Sequence, residues 1–416
     1  MRHSFVLFYF TLLAAGTLHA APLTLTLAAA QQQALDYSRQ LDSHVAAADA
    51  ARSLAIAAGQ LPDPVLRIGI DNIPADGMDR GSLGRDFMTM RRVGIQQELT
   101  GSDKRSARRD VQLRTADKAE AQRRAATAAL RRATAMAWLD RYYAEQKLAL
   151  VELQATQARQ EILAADGAYR GGRGSLADVL AARSAVVLID DQRDELAQRA
   201  RAAATMLARW TGTTGNDTLS GPPDIDHLAR EPLAPDLSRE SEIAVLTAQE
   251  QVAAAEARLA LTEKKSDWSV EVGYAQRGPA YANMVSVGLS IPFQLDQANR
   301  QDRMLAARLA SVGQARAERD EALRERQAQT RNLLDAWRTD LARHQRYEMD
   351  LIPLAQQRSA AVLAAWRGGK ATLPELLLAR RNETEVALMA VDHAASAARL
   401  WAQLNFLLDD DSGVTR

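Results

Sequence analysis

Two carboxylates, Asp178 and Glu375, occupy the same place in two copies of one phrase. The first copy reads Tyr169-Arg-Gly-Gly-Arg-Gly-Ser-Leu-Ala-Asp178-Val-Leu-Ala-Ala-Arg183 and the second Trp366-Arg-Gly-Gly-Lys-Ala-Thr-Leu-Pro-Glu375-Leu-Leu-Leu-Ala-Arg380. Each acid lies three residues after a hydroxyl, Ser175 or Thr372. That spacing is a capping box: hydroxyl and carboxylate each take a backbone N–H that the first turn of a helix leaves free. The run Gly171-Gly172-Arg-Gly174 has no strand before it, so it is not a phosphate loop. Its glycines, like Gly368 and Gly369, supply the backbone freedom of a tight turn between two helices.

Other chemistry is scarce. The chain has no Gly-rich loop ending in Gly-Lys-Ser/Thr and no His-Glu-x-x-His. His44, His227, His344 and His393 show no ligand spacing to one another, and solvated helix faces account for them. Met78, Met88 and Met90 cluster around one predicted hairpin; thioethers suit soft Cu(I), but ordinary loop and strand packing is the better account of them. No catalytic, cofactor-binding or metal-ligating set emerges. With 52 basic and 52 acidic residues there is no basic excess to attract nucleic acid, and with no cysteine there is neither a disulfide nor a thiolate site.

The elements that must position these turns are long. Residues 1–20 read as a secretory leader: Arg2 and His3, an apolar stretch from Phe5 to Ala15, and a cleavage site after Ala20. Two repeats follow, 21–211 and 237–408, joined by a Gly/Pro-rich linker over 212–236 and ending in a tail over 409–416. Each repeat reads helix, strand, strand, very long helix, turn, helix. The opening helices are expected over Leu27 to Gln60 and Leu237 to Lys265. The long ones are expected over Ser102 to Ala168 and Gln297 to Arg367, with Pro353 kinking or interrupting the second. Their faces are rich in alanine, as in Ala125-Ala126 and Ala128-Ala129, which lets helices approach closely.

The expected strands are Val65–Ile70, Phe87–Leu99, Trp268–Tyr274 and Met284–Phe293. Trp268, Val270, Val272 and Tyr274 share one face while Ser269, Glu271 and Gly273 share the other, so one side is apolar and one polar. Four strands do not make a stable sheet alone. In a membrane an open edge is forbidden, so several chains would have to pool their strands into a closed barrel.

In this order of parts, and in the repeated phrase, the chain resembles the TolC-like outer-membrane efflux factors. Leu61-Pro-Asp-Pro64, Asp71-Asn-Ile-Pro74 and Met88-Thr-Met-Arg-Arg-Val-Gly-Ile-Gln-Gln-Glu98 resemble the heavy-metal branch of that family. The resemblance implies a mainly α fold: a long α-helical coiled-coil barrel, plus four strands per chain in a homotrimeric twelve-strand outer-membrane β-barrel. It implies a passive, non-enzymatic conduit in outer-membrane lipid, with helices extending into the periplasm. Its partners would be a periplasmic adaptor (membrane fusion protein) and an inner-membrane RND pump. Without a cysteine, anchoring would rest on the barrel rather than on lipid. Arg170, Gly171, Gly172, Ser175, Leu176, Arg367, Gly368, Gly369, Thr372 and Leu373 would form the tips where the adaptor docks. Asp178 and Glu375 would ring a periplasmic gate, with Leu378 at a position where relatives often carry a further acid. Rival readings are the outlet of a drug-efflux or type I secretion system, and an exported coiled-coil scaffold or adaptor without a pore.

Overall fold

A computed structural model describes residues 24–172, 174–229 and 237–407. The expected leader, part of the linker and the C-terminal tail lie outside them. The elements are α1 (Leu27–Tyr37), α2 (Arg39–Ala58), β1 (Val65–Asp71), β2 (Met90–Leu99), α3 (Ser102–Arg170), α4 (Leu176–Thr211), α5 (Ser241–Thr262), β3 (Trp268–Gln276), β4 (Met284–Ser290), α6 (Gln301–Arg346), α7 (Ile352–Arg367) and α8 (Leu373–Asn405). Among the described residues no helix is long and apolar enough to cross a membrane.

The described elements run helix, strand, strand, long helix, helix twice over, with bounds that differ locally from the expected ones. The opening helix is two helices: Ser38 takes an extended conformation between α1 and α2. The break lets α1 lie against α3 and α4, with the ring of Tyr37 so close to Gly212 that any Cβ there would meet it at 2.8 Å. Strand β2 starts at Met90 rather than Phe87, because Asp86 caps a turn by accepting from the Met88 N–H. Strand β4 stops at Ser290, ahead of Pro292, which has no N–H to donate. Pro353 produces a π-helical turn, Tyr347–Leu351, between α6 and α7. Proline at 353 cannot donate to the carbonyl four residues back and crowds it, and the wider turn relieves that clash. Helix α3 has no such break over its 69 residues, about 100 Å at 1.5 Å per residue.

The strands form one antiparallel sheet in the order β1-β2-β3-β4. Register places Leu66, Ile95, Val272 and Val287 in one row and Ile68, Val93, Tyr274 and Val285 in the next. All eight share one face, and all are exposed, from 48% at Tyr274 to 75% at Val287. The opposite face carries Arg67, Arg92, Gly94, Gln96, Ser269, Glu271 and Ser286, where Arg92 pairs with Asp71 at 3.3 Å and Gln96 donates to Ser269 Oγ at 3.0 Å.

The main core lies at the waist, where α3, α4, α6 and α8 meet around Trp138, Leu139, Leu207, Trp337 and Trp401. Three indole N–H groups anchor backbone from outside the long helices: Trp138 donates to Leu25 O (3.0 Å), Trp337 to Ile225 O (3.2 Å) and Trp401 to His227 O (2.8 Å). Leu25 also bridges to Leu219 in parallel fashion. The start of the first repeat and the linker are thus strapped side by side across the waist.

Trp138 is completely buried. Trp138→Ala is expected to cost about 3–5 kcal/mol and Trp401→Phe, which loses one hydrogen bond, about 1 kcal/mol. Thermal melts followed by circular dichroism should rank the two in that order.

Candidate functional site

The two copies of the repeated phrase form two helix-to-helix turns at one end of the molecule. In the first, α3 ends at Arg170, Gly171 caps it by donating to Gly167 O, and Gly172 takes a φ of +70°. In the second, α7 ends at Arg367, Gly368 donates to Ala364 O, and Gly369 takes a φ of +69°. Only glycine adopts that left-handed conformation without penalty, so each phrase needs its second glycine.

Both capping boxes are present. Ser175 Oγ accepts from Asp178 N at 3.1 Å, while Asp178 Oδ2 accepts from Ser175 N at 2.9 Å and from Ser175 Oγ at 2.7 Å. Thr372 Oγ1 accepts from Glu375 N at 3.4 Å, and Glu375 Oε2 accepts from Thr372 N at 2.7 Å. The backbone hydrogen bond from Ser175, and after it the Ser175 hydroxyl, hold the Asp178 pKa below its ordinary 3.8. The corresponding bonds from Thr372 lower that of Glu375 below 4.5. Both groups are therefore anions at neutral pH, each with one carboxylate oxygen turned to its cap.

The turns are not equivalent. A Cβ on Gly174 would meet Tyr169 N at 3.2 Å, whereas the same position in the second phrase is Ala371. Leu176 is 53% exposed; its counterpart Leu373 is 4% exposed. Leu373 and Leu376 pack with Ala165, Val179 and Ala182, so one apolar cluster joins the turns of both repeats. Leu376 and Val179, which follow the two acids, lie inside it, and Leu378 is exposed. Of the expected tip residues, Leu373 is thus committed to packing. Ser175, Leu176 and Thr372 are exposed, as are Arg170, Gly171, Gly172, Gly368 and Gly369. Arg170 forms an ion pair with Asp166 one turn back.

Three of the histidines make contacts within helix packing or the linker. His393 Nδ1 lies 3.5 Å from Asp340, His344 Nδ1 contacts Ala390 O at 3.2 Å, and His227 sits 3.0 Å from Asp224 in the linker. Among the described residues no three His, Asp or Glu side chains converge as metal ligands. Met78 is fully exposed and Met88 half-exposed beside the first hairpin. Sequence reasoning missed the ion pairs that cross between repeats, such as Lys104–Asp267 at 2.7 Å. These partners are distant in sequence, and no local pattern marks them.

No protein-family model and no curated protein matches the sequence. Solved structures do match its fold. A membrane protein from Pseudomonas aeruginosa superposes with a TM-score of 0.78 at 15% identity, covering 92% of this chain and 93% of that one. The outer membrane protein VceC of Vibrio cholerae gives 0.74 at 16% identity over 92% and 95%. The Campylobacter jejuni CmeC outer membrane channel gives 0.76 at 11% identity over 93% and 87%. The chain therefore has the fold of these three proteins along almost its whole length: long helical hairpins with a small strand contribution.

Two expectations follow for the turns. Gly174→Ala should loosen the first turn while Ala371→Gly leaves the second nearly unchanged, read as the rate of limited proteolysis at each. Because both cap carboxylates have lowered pKa values, their support is complete above the ordinary carboxylate pKa and is lost as pH falls through the lowered one. Amide exchange at Ser175 and Thr372 should therefore accelerate only below about pH 4, after correction for intrinsic rates.

Proposed function

We propose that this chain is the outer-membrane channel of a tripartite efflux system. It conducts substrate passively from a periplasmic adaptor and inner-membrane pump to the exterior. One observation carries the reading: among the described residues, a four-stranded sheet has a continuous exposed apolar face, and its outer strands β1 and β4 each pair on one side only. In water such a face is costly, and in lipid the open edges are costly. Both costs vanish when copies of the chain close the sheet into a barrel with its apolar face toward lipid and its polar face inward. Three copies would supply twelve strands. The similar folds of VceC and CmeC, both described as outer membrane proteins, support the same placement.

In this arrangement the long hairpins run away from the membrane, and the two phrases form the far tips. Ser175 and Leu176 of the first turn, with Arg170, Gly171 and Gly172, and Arg367, Gly368, Gly369 and Thr372 of the second, offer polar groups and one exposed leucine to an adaptor. Asp178 and Glu375 place fixed negative charge beside each turn, three copies of each in a trimer, favouring cations. Heavy-metal cations are the proposed cargo. That choice rests on the motifs at 61–64, 71–74 and 88–98.

The protein should fractionate with outer membranes as a heat-modifiable trimer and conduct in planar bilayers. Recovery as a soluble monomer without conductance would refute the channel. The near-isosteric pair Asp178→Asn with Glu375→Gln should leave the trimer intact and lower the cation preference severalfold; unchanged selectivity removes the gate role. Deletion of the gene should sensitise cells to divalent or soft metal ions. Sensitivity to organic drugs alone would reassign the cargo.

A further inference from the structure

Behind the turns, α3, α4 and α8 enclose a cleft of about 650 Å³ with walls that include Ala181, Leu188, Leu377 and Leu388. Glu161 of α3 lies in it, 9% exposed. Its partner comes from the other repeat: Arg380 Nε on α8 stands 3.5 Å from Glu161 Oε1. This is an ion-pair distance, and among the described residues Nε makes no hydrogen bond. The guanidinium is shared, since Nη1 donates to Glu383 at 3.1 Å. Two turns back on α3, Gln154 Oε1 also lines the cleft without a donor. Glu161 is thus a buried acid with an incomplete partner, placed where the hairpin of one repeat rests on that of the other.

The repeat sharpens the point. Arg380 closes the second phrase as Arg183 closes the first, yet Arg183 faces solvent and Arg380 turns inward across the boundary between repeats. The other ionisable groups along the cleft have partners at its rim. On α8 Arg381 pairs with Glu385, and on α4 Glu195 pairs with Arg199. Glu383, on α8 beside the cleft, holds Arg380. Glu161 alone among them is both buried and under-paired.

We propose that Glu161 is a proton-linked clamp between the two hairpins: its protonation decides how firmly the second hairpin rests against the first. The docked arrangement keeps Glu161 buried, and parting the hairpins hydrates it. Burial pushes its pKa above the ordinary 4.5, against the smaller opposing pull of Arg380. The docked form therefore binds the proton more tightly. By linkage, docking is strongest below the ordinary carboxylate pKa and weakens as pH rises toward the raised one. The apolar cluster of Leu373 and Leu376 holds the turns together in either state, so the proton tunes the contact rather than creating it. The clamp goes beyond the channel reading and does not need a pore to exist.

The chain has no cysteine, so spin labels can be placed singly. Exposed sites on the two hairpins, Arg183→Cys and Lys370→Cys, report their separation in full-length protein diluted with unlabelled chains. The label-to-label distance should lengthen or broaden as pH rises from about 4.5 to about 8. Glu161→Gln should hold the short distance throughout, and Arg380→Met should enlarge the pH-dependent change. A separation independent of pH in the otherwise unaltered protein overturns the clamp. So does a pH response that survives Glu161→Gln. Circular dichroism confirms that each variant is folded, and if Glu161→Gln does not fold, an Arg380→Met response no larger than that of the parent overturns it instead.

Discussion

The structure depends on what a β-strand edge requires. Each backbone N–H and C=O must find a partner, and among the described residues no strand pairs with the outer sides of β1 and β4. Ordinary soluble sheets cover one face with a core and blunt their edges. Here the apolar face is bare, and the polar face holds ion pairs and glycines. In the proposed channel the sheet is one part of a larger closed object, and the helices continue from its strands. Lys104 at the start of α3 pairs with Asp267 just ahead of β3 (2.7 Å), and Lys264 just after α5 pairs with Asp302 at the start of α6 (2.6 Å), tying the helix ends together beside the sheet.

Away from the sheet, the helices solve a different problem. A wall of paired helices has no thick interior, so most of its buried residues are alanines: Ala116, Ala119, Ala155 and Ala158 on α3, and Ala394, Ala395, Ala397 and Ala398 on α8. Close approach replaces bulk. The large side chains gather in two apolar clusters, at the waist and at the tips, and the helices between them bury mainly smaller groups such as Val151, Ala155 and Ala158. The tips need their own cluster because nothing in the waist reaches them.

Much of this was legible in the sequence because the features are local. Alternation in Trp268–Tyr274 fixed the two faces of a strand, and Gly-Gly followed three residues later by Ser or Thr fixed two turns. A hydroxyl and an acid three apart fixed two capping boxes. What escaped was set by distant partners. Ser38 breaks a helix because Tyr37 packs on Gly212, and Leu373 is buried where Leu176 is exposed because only one of two equivalent leucines points between the repeats. Arg380 and Arg183 are the same residue in the same phrase with opposite environments. A repeat in the sequence specifies what each half can form. It does not specify which half lies inside the other.

The π turn at Tyr347–Leu351 bears on how such a molecule can change over generations. A residue inserted into a regular helix rotates everything beyond it by about 100°, which would swing the tip leucines out of their cluster. A π turn swallows the extra residue within one widened loop of helix, and the register on either side survives. The second hairpin therefore has a site at which length can be gained or lost one residue at a time, with the waist and the tip both staying in phase. The unbroken first hairpin must change by whole turns or not at all.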